Sequence, residues 1–482
     1  MSIDITISQK ASEDSGRLEK IAIGVSNWAE KWFPDAYIFA AVAVIVVALA
    51  AWAIGAPAQA IAKGFGDGFW TLIPFTMQLS VVAISGYVVA VSPPAAKLIE
   101  AMARMPKSAR GAVVMIATVS LVSTLFNWAI SLVFSGLLAR AVARRTDLRV
   151  DYRAMGAAAY MGIGAIWALG ISSAPAQLMA NPASLPSGLL EISGVLPFTE
   201  TIFLWQSMVM TLALLLISVL VSYYSAPTGD RIKTADDLGV DLQSSDIILE
   251  KPTRPGEKLE YSPLITLAIA FISGIWLFEE FTSKDPLAAI SSLNTYNFLF
   301  LTIGMLLCWR PIRFVKAFYK AVPSVGGMLI QFPLYGGIAF MMTKVANDQG
   351  ETLSHMLASG FVAVATQETF SVVMGVYSAV LGFFIPSGGG KWLIEAPYVM
   401  QAANDLQVHL GWAVQVYNAA EALPNLINPF WMLPLLGVLG LKARDIVGFT
   451  FTQLLVHTPL VLFLLWVFAG TLTYVPPVMP GS

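Results

Sequence analysis

Charge is what this sequence has least of. Only 12% of its 482 residues are Asp, Glu, Lys or Arg, against about 25% in a soluble domain. One cysteine, Cys308, excludes a disulfide framework and a cysteine-rich metal site. Three histidines, His355, His409 and His457, lie too far apart in sequence to suggest a zinc site. They fall near the ends of apolar runs and read as interfacial residues. There is no HExxH, GxSxG or P-loop, and no GxGxxG beside a strand. Hydrolytic, nucleotide-driven and dinucleotide chemistries therefore lose their usual signatures, and nothing points to nucleic acid.

What the chain has instead is apolar length. Hydrophobic residues make up 57% and the mean hydropathy is +0.71. The composition reads as an all-α polytopic membrane protein. The run before Ala56-Pro57-Ala58 is too long for a signal-peptide core and is read as the first span. A span needs about 20 apolar residues. Nine candidates follow: 36–54, 68–91, 154–180, 201–224, 263–281, 295–309, 322–342, 411–441 and 446–473.

Two further stretches, 111–143 and 370–404, do not fit as single spans. A helix of that length would run about 50 Å, against a hydrocarbon core of about 30 Å. Each is interrupted by small and polar residues, Ser123–Trp128 in the first and Pro386–Trp392 in the second. Both read as re-entrant hairpins. Non-helical backbone at membrane depth survives only where protein buries it or a wet cavity receives it.

Charge placement fits that reading. Arg104, Lys107 and Arg110 precede the first hairpin, and Arg140, Arg144, Arg145, Arg149 and Arg153 follow it. Both flanks should face the cytoplasm. With nine spans and two hairpins, every Lys and Arg except Lys63, Lys284, Lys344 and Lys391 falls inside. The expected organisation is a cytoplasmic segment 1–35, a first membrane repeat 36–225 and a charged cytoplasmic linker 226–262. A linking span and loop, 263–294, then lead to a second repeat, 295–482. The segment Trp309–Lys316 is basic and amphipathic and should lie in the membrane interface.

Each repeat holds a hairpin followed by a span broken near its middle, at Gly170–Gln177 and at Leu423–Pro429. The odd linking span would invert the second repeat, a mark of secondary transporters. Substrate-site candidates are Ser123, Thr124, Asn127 and Trp128 at the first tip. Ser387, Gly388, Gly389, Gly390 and Trp392 stand at the second. Ser172, Ser173, Asn425 and Asn428 stand at the breaks. Hydroxyls, amides and open backbone N–H groups at helix starts suit a carboxylate. The alternative is that these are turns and kinks packed in the bundle.

Glu421, Glu395 and Lys391 are the ion-coupling candidates. Glu421 lies inside a span and could carry a proton or make a structural hydrogen bond. Lys391 and Glu395 are four apart and should pair with each other. Glu368, beside the second hairpin, has no clear assignment.

The elements Gly66-Asp67-Gly68-Phe69-Trp70, Asn127-Trp128, Pro386-Ser387-Gly388-Gly389-Gly390-Lys391-Trp392 and Asn428-Pro429-Phe430-Trp431 together resemble the bacterial short-chain fatty acid transporter family, from about Trp32 to Phe468. The resemblance implies uptake of short carboxylates such as acetoacetate and butyrate through the inner membrane. It extends to the ion-transporter superfamily, which implies a homodimer with a moving, hairpin-bearing domain and elevator-type alternating access. No cofactor is implied, and the coupling ion is H+ or Na+. A dicarboxylate or other organic-anion carrier is the near alternative. A channel and an intramembrane enzyme are the distant ones.

Overall fold

The structure is a computed structural model that describes residues 31, 36–242, 249–384 and 388–477. The rest of the expected segment 1–35, part of the linker, and Ser387 at the second hairpin tip lie outside the described residues.

Every regular element described is helical, with one isolated bridge between Ala346 and Thr352. Helices shorter than seven residues are left unlabelled. In chain order the helices are α1 (Ala36–Ala53), α2 (Ala58–Phe69), α3 (Ile73–Ala90), α4 (Pro93–Ala103), α5 (Ala109–Phe126), α6 (Trp128–Ala143), α7 (Tyr152–Met161), α8 (Ala174–Ala180), α9 (Ser187–Ser193) and α10 (Trp205–Ser225). After the linker come α11 (Pro263–Ser283), α12 (Leu293–Cys308), α13 (Pro311–Ala321), α14 (Gly326–Lys344), α15 (Leu353–Val364), α16 (Phe370–Phe384), α17 (Gly388–Asp405), α18 (Leu410–Asn425), α19 (Pro429–Leu439) and α20 (Ala443–Ala469).

The starts are written in the sequence. Ser92, Ser108, Asp151 and Ser173 each cap a helix through the side chain, satisfying a backbone N–H that has no partner within the helix. Proline stands in the first turn of α4, α11 and α13, where its missing N–H costs nothing.

Among the described residues six helical stretches are long and apolar enough to cross a membrane: α3, α5, Tyr152–Ala180, α10, α11 and α20. Helices α13 and α14, taken together across a 57° bend, would make a seventh. Helix α11 turns Leu264, Phe271, Ile272 and Phe278 outward, and α10 does the same with Leu212 and Leu216. Such faces suit lipid, not water.

The expected break at Ser123–Trp128 is tighter than the sequence suggested. Ser123 and Thr124 are helical, and one extended residue, Asn127, joins α5 to α6. Ser120 and Ser131 meet at 3.2 Å, so the chain doubles back at Asn127. Helices α16 and α17 double back likewise, since Tyr377 and Tyr398 meet at 2.9 Å. The expected span 68–91 begins at Ile73. The Gly66–Trp70 element instead ends α2, where Gly68 packs on Gly336 and Phe340 of α14.

Both expected broken spans are broken. Helix α7 passes through a π turn at Gly162–Ile166 and a 3-10 turn at Trp167–Leu169 before α8. Ser120 holds the π turn: its hydroxyl donates to Ala159 O at 2.6 Å and accepts from Gly162 N at 2.9 Å. In the other half, Leu426–Asn428 separates α18 from α19. The two broken elements form the buried centre, touching where Tyr160 donates to Asn425 O at 2.8 Å and where Trp167 and Trp431 lie 6.3 Å apart.

The segment expected to be interfacial forms helix α13 from Pro311 onward. Ala317 and Ala321 are buried, and Phe314 and Phe318 pack with them towards α3. Arg313, Lys316 and Lys320 share the same short helix.

Candidate functional site

The first hairpin tip rests on the first break. Leu125 O accepts from Ile171 N at 2.8 Å. Ser172 Oγ accepts from Trp128 N at 3.1 Å and reaches Thr124 O at 3.4 Å. Ser173 caps α8 through Ala176 N. Proline at 175 frees the carbonyl of Ile171, and Gln177 Nε2 takes it at 2.9 Å. That carbonyl is therefore hydrogen-bonded within the chain.

Asn127 is fully buried and fully engaged. Its Oδ1 accepts from Ala129 N and Ile130 N at 2.9 and 3.1 Å, capping α6. Its Nδ2 donates to Val82 O and to Tyr296 Oη at 3.2 and 3.0 Å. Tyr296 in turn donates to Phe126 O at 2.6 Å. A Cβ on Gly86 would lie 2.2 Å from Asn127 Oδ1, so α3 makes room for the amide. Ser123 is likewise bonded to Val119 O at 2.6 Å. Thr124 Oγ1, by contrast, is buried with no partner.

The second hairpin also meets the first break. A Cβ on Gly388 would lie 2.3 Å from the Trp167 ring, and one on Gly389 would lie 3.0 Å from Ala174. The start of α17 thus abuts the start of α8. Tyr417 of α18 donates to Gly388 O, and its ring lies 4.6 Å from Trp392 at a tilt of 50°. The indole nitrogens of Trp167 and Trp392 have no hydrogen-bond partner. Asn428 Nδ2 donates to Phe383 O at 3.2 Å, tying the second break to α16. Both amide atoms of Asn425 are buried and unpartnered.

One turn into α17 lies a charge cluster with no exposure at all. Lys391 Nζ is 2.8 Å from Glu395 Oε1 and 3.0 Å from Glu421 Oε2. It also donates to Ser378 O and Oγ at 3.0 and 2.6 Å and lies 4.3 Å from the Tyr417 ring centre. A Cβ on Gly382 would fall 2.7 Å from Glu421 Oε2 and 2.9 Å from Pro424, so glycine lets α16 reach the cluster. One ammonium faces two carboxylates. Burying an uncompensated charge costs several kcal/mol, so this site favours holding one extra proton or cation.

The expected Lys391–Glu395 pair is present. Glu421 joining it, from 30 positions along the chain, was not visible in sequence, and neither was Trp167. Glu368 lies apart, in an exposed turn before α16.

The likeness to known proteins spans this whole architecture. The profile of the "Short chain fatty acid transporter" family matches residues 17–468. A protein of Escherichia coli (strain K12) named "Putative short-chain fatty acid transporter" is 31% identical over 91% of this chain and 97% of its own. One of the same name from Haemophilus influenzae is 29% identical over 92% of this chain and 98% of its own. In fold, the chain is similar to the Alcanivorax borkumensis YdaH transporter, with TM-score 0.55 and 16% identity over 91% of this chain and 98% of that one. It is also similar to Neisseria gonorrhoeae MtrF, which is described with a class of antimetabolite efflux pumps. There the TM-score is 0.60 and the identity 13%, over 95% of this chain and 99% of that one. These relatives are transporters, not enzymes.

Proposed function

Because the chain belongs to the short chain fatty acid transporter family, we propose that it moves short monocarboxylates such as butyrate or acetoacetate across the bacterial inner membrane by alternating access. The observation that carries this reading is the meeting of two helix hairpins and two broken helices at one buried place. Such meetings are where carriers of inverted repeats hold their cargo.

The substrate carboxylate lies at the first turn of α17, where backbone N–H groups face outward along the helix axis and favour an anion. The Asn425 amide supplies a further donor, and Trp167 and Trp392 line the acyl chain. Thr124 approaches from the first tip; Ser387 of the second lies outside the described residues. Asn127, Ser172 and Ser173 shape the first tip instead of touching the substrate, since their hydrogen bonds are already made. The hairpins are re-entrant and travel together, elevator-fashion, against a scaffold that pairs in a homodimer.

The charge count leaves a place for one coupling cation, read here as a proton. Lys391 with two glutamates is one negative charge in excess, and a bound carboxylate adds another. A proton on Glu421 offsets the first and leaves Lys391 paired with Glu395, so cargo and proton enter together with no net change in charge.

The test is accumulation of labelled butyrate by proteoliposomes under separate proton and sodium gradients. A proton gradient alone should drive accumulation. Glu421→Gln should lose accumulation and keep exchange. Sodium-driven accumulation, or full accumulation in the variant, defeats the proton reading. The efflux ascribed to MtrF makes export the second direction to examine, and vesicles loaded on either side distinguish it.

A further inference from the structure

Many buried hydroxyls in this fold find partners within their own helix: Ser80, Ser218 and Ser222 each donate to the carbonyl four residues back. Helix α18 departs from that habit. Trp412, Gln415, Asn418, Glu421 and Asn425 follow one another at steps of three, three, three and four, and all are fully buried. Each has a polar atom with no hydrogen-bond partner: Trp412 Nε1, Gln415 Nε2, Asn418 Oδ1, Glu421 Oε1, and both amide atoms of Asn425.

Residues three or four apart are neighbours on a helix, about 5–6 Å between Cβ atoms. The row therefore winds along α18 without a gap. One link is direct, Asn418 Nδ2 donating to Gln415 Oε1 at 3.3 Å. The row starts at His409, which caps α18 through Trp412 N at 3.1 Å. His409 lies 3.3 Å from Glu200, whose side chain is 46% exposed. It reaches the Lys391–Glu395–Glu421 cluster about 18 Å further on, twelve residues at the helical rise.

Leaving so many buried polar atoms unmatched would cost about 1–3 kcal/mol each. Apolar residues would pack this helix more cheaply. Donors and acceptors one turn apart are, however, the spacing that single bridging waters span. We propose that α18 carries a water-wired proton path from the His409–Glu200 end to Glu421. The row mixes nitrogen donors with oxygen acceptors, which suits water; a hard cation asks for oxygen ligands throughout. The charged groups facing Glu421 are Lys391 and Glu395 of α17. Tyr417 lies beside it on its own helix, and α16 presents Ser378 and Gly382.

This inference rests on the proton-driven reading above, and the experiment separates the two. The full chain is reconstituted in vesicles with a trapped pH-sensitive dye, and butyrate-coupled proton entry is read beside butyrate exchange at equal pH. Asn418→Leu fills the row with an apolar side chain; Asn418→Ala leaves room for water. Asn418→Leu should slow coupled proton entry about tenfold or more, with exchange within about twofold of the parent, and Asn418→Ala should stay near the parent. Gln415→Leu and Gln415→Ala give the same contrast should Asn418→Leu not fold. Proton entry at parent rate in the leucine variants overturns the path, as does an equal loss in the alanine and leucine variants. Should the parent take up butyrate with no proton entry, the proton reading itself falls, and the path with it.

Discussion

Replacing Lys391 with Met should be far more damaging to stability than replacing either glutamate beside it, and the cluster's geometry says by how much. Two carboxylate oxygens lie 2.8 and 3.0 Å from the ammonium, and all three side chains are fully buried. At an effective dielectric of about 20, each contact is worth about 5–6 kcal/mol in gross attraction. Taking each ion out of water costs several kcal/mol, so the assembled cluster contributes little net stability. Lys391→Met removes the attraction and leaves two carboxylates buried together, a loss of about 3–5 kcal/mol. Glu421→Gln leaves one ammonium with one carboxylate and should cost under about 1.5 kcal/mol, the price of one hydrogen bond. Adding Glu421→Gln to Lys391→Met should then restore stability by about 0.5–3 kcal/mol relative to additivity. Unfolding in detergent, followed by tryptophan fluorescence, measures all three variants. Equal losses in the two single variants, or strict additivity in the double, would refute the charge-balance argument.

Gly382→Ala should destabilise by about 1–3 kcal/mol through overpacking and slow butyrate uptake, because its Cβ would meet Glu421 and Pro424; parent-like uptake would show that α16 yields. Asn127→Ala should cost about 1–2 kcal/mol as a lost helix cap and leave the butyrate KM of the folded fraction unchanged; a raised KM would return Asn127 to the substrate site. Burial holds His409 below the usual imidazole range, so the unfolded chain binds its proton first. Stability should therefore fall as pH drops below about 6.5, and His409→Gln should flatten part of that slope in melting curves; an unchanged slope would place the titration elsewhere.

Sequence alone determined the class, the breaks and the pairings that are local. Too little charge and too much apolar length leave only a membrane protein. Asn127 interrupts the first hairpin because a capping side chain acts on the backbone within a few residues. Lys391 and Glu395 pair because four residues is about one helical turn. The tertiary structure decided everything that crosses between helices. Glu421 completes the cluster only because Gly382 lets α16 close on α18, and no spacing along the chain encodes that approach. Asn127 looked like a ligand by type. It is a cap whose Oδ1 is taken by Ala129 N and Ile130 N, and Val82 O and Tyr296 Oη, distant in sequence, take its two N–H groups. Trp167 and the polar row of α18 are silent in sequence for the same reason: an indole or an amide gains meaning from burial and from which partners it lacks, and both are properties of packing.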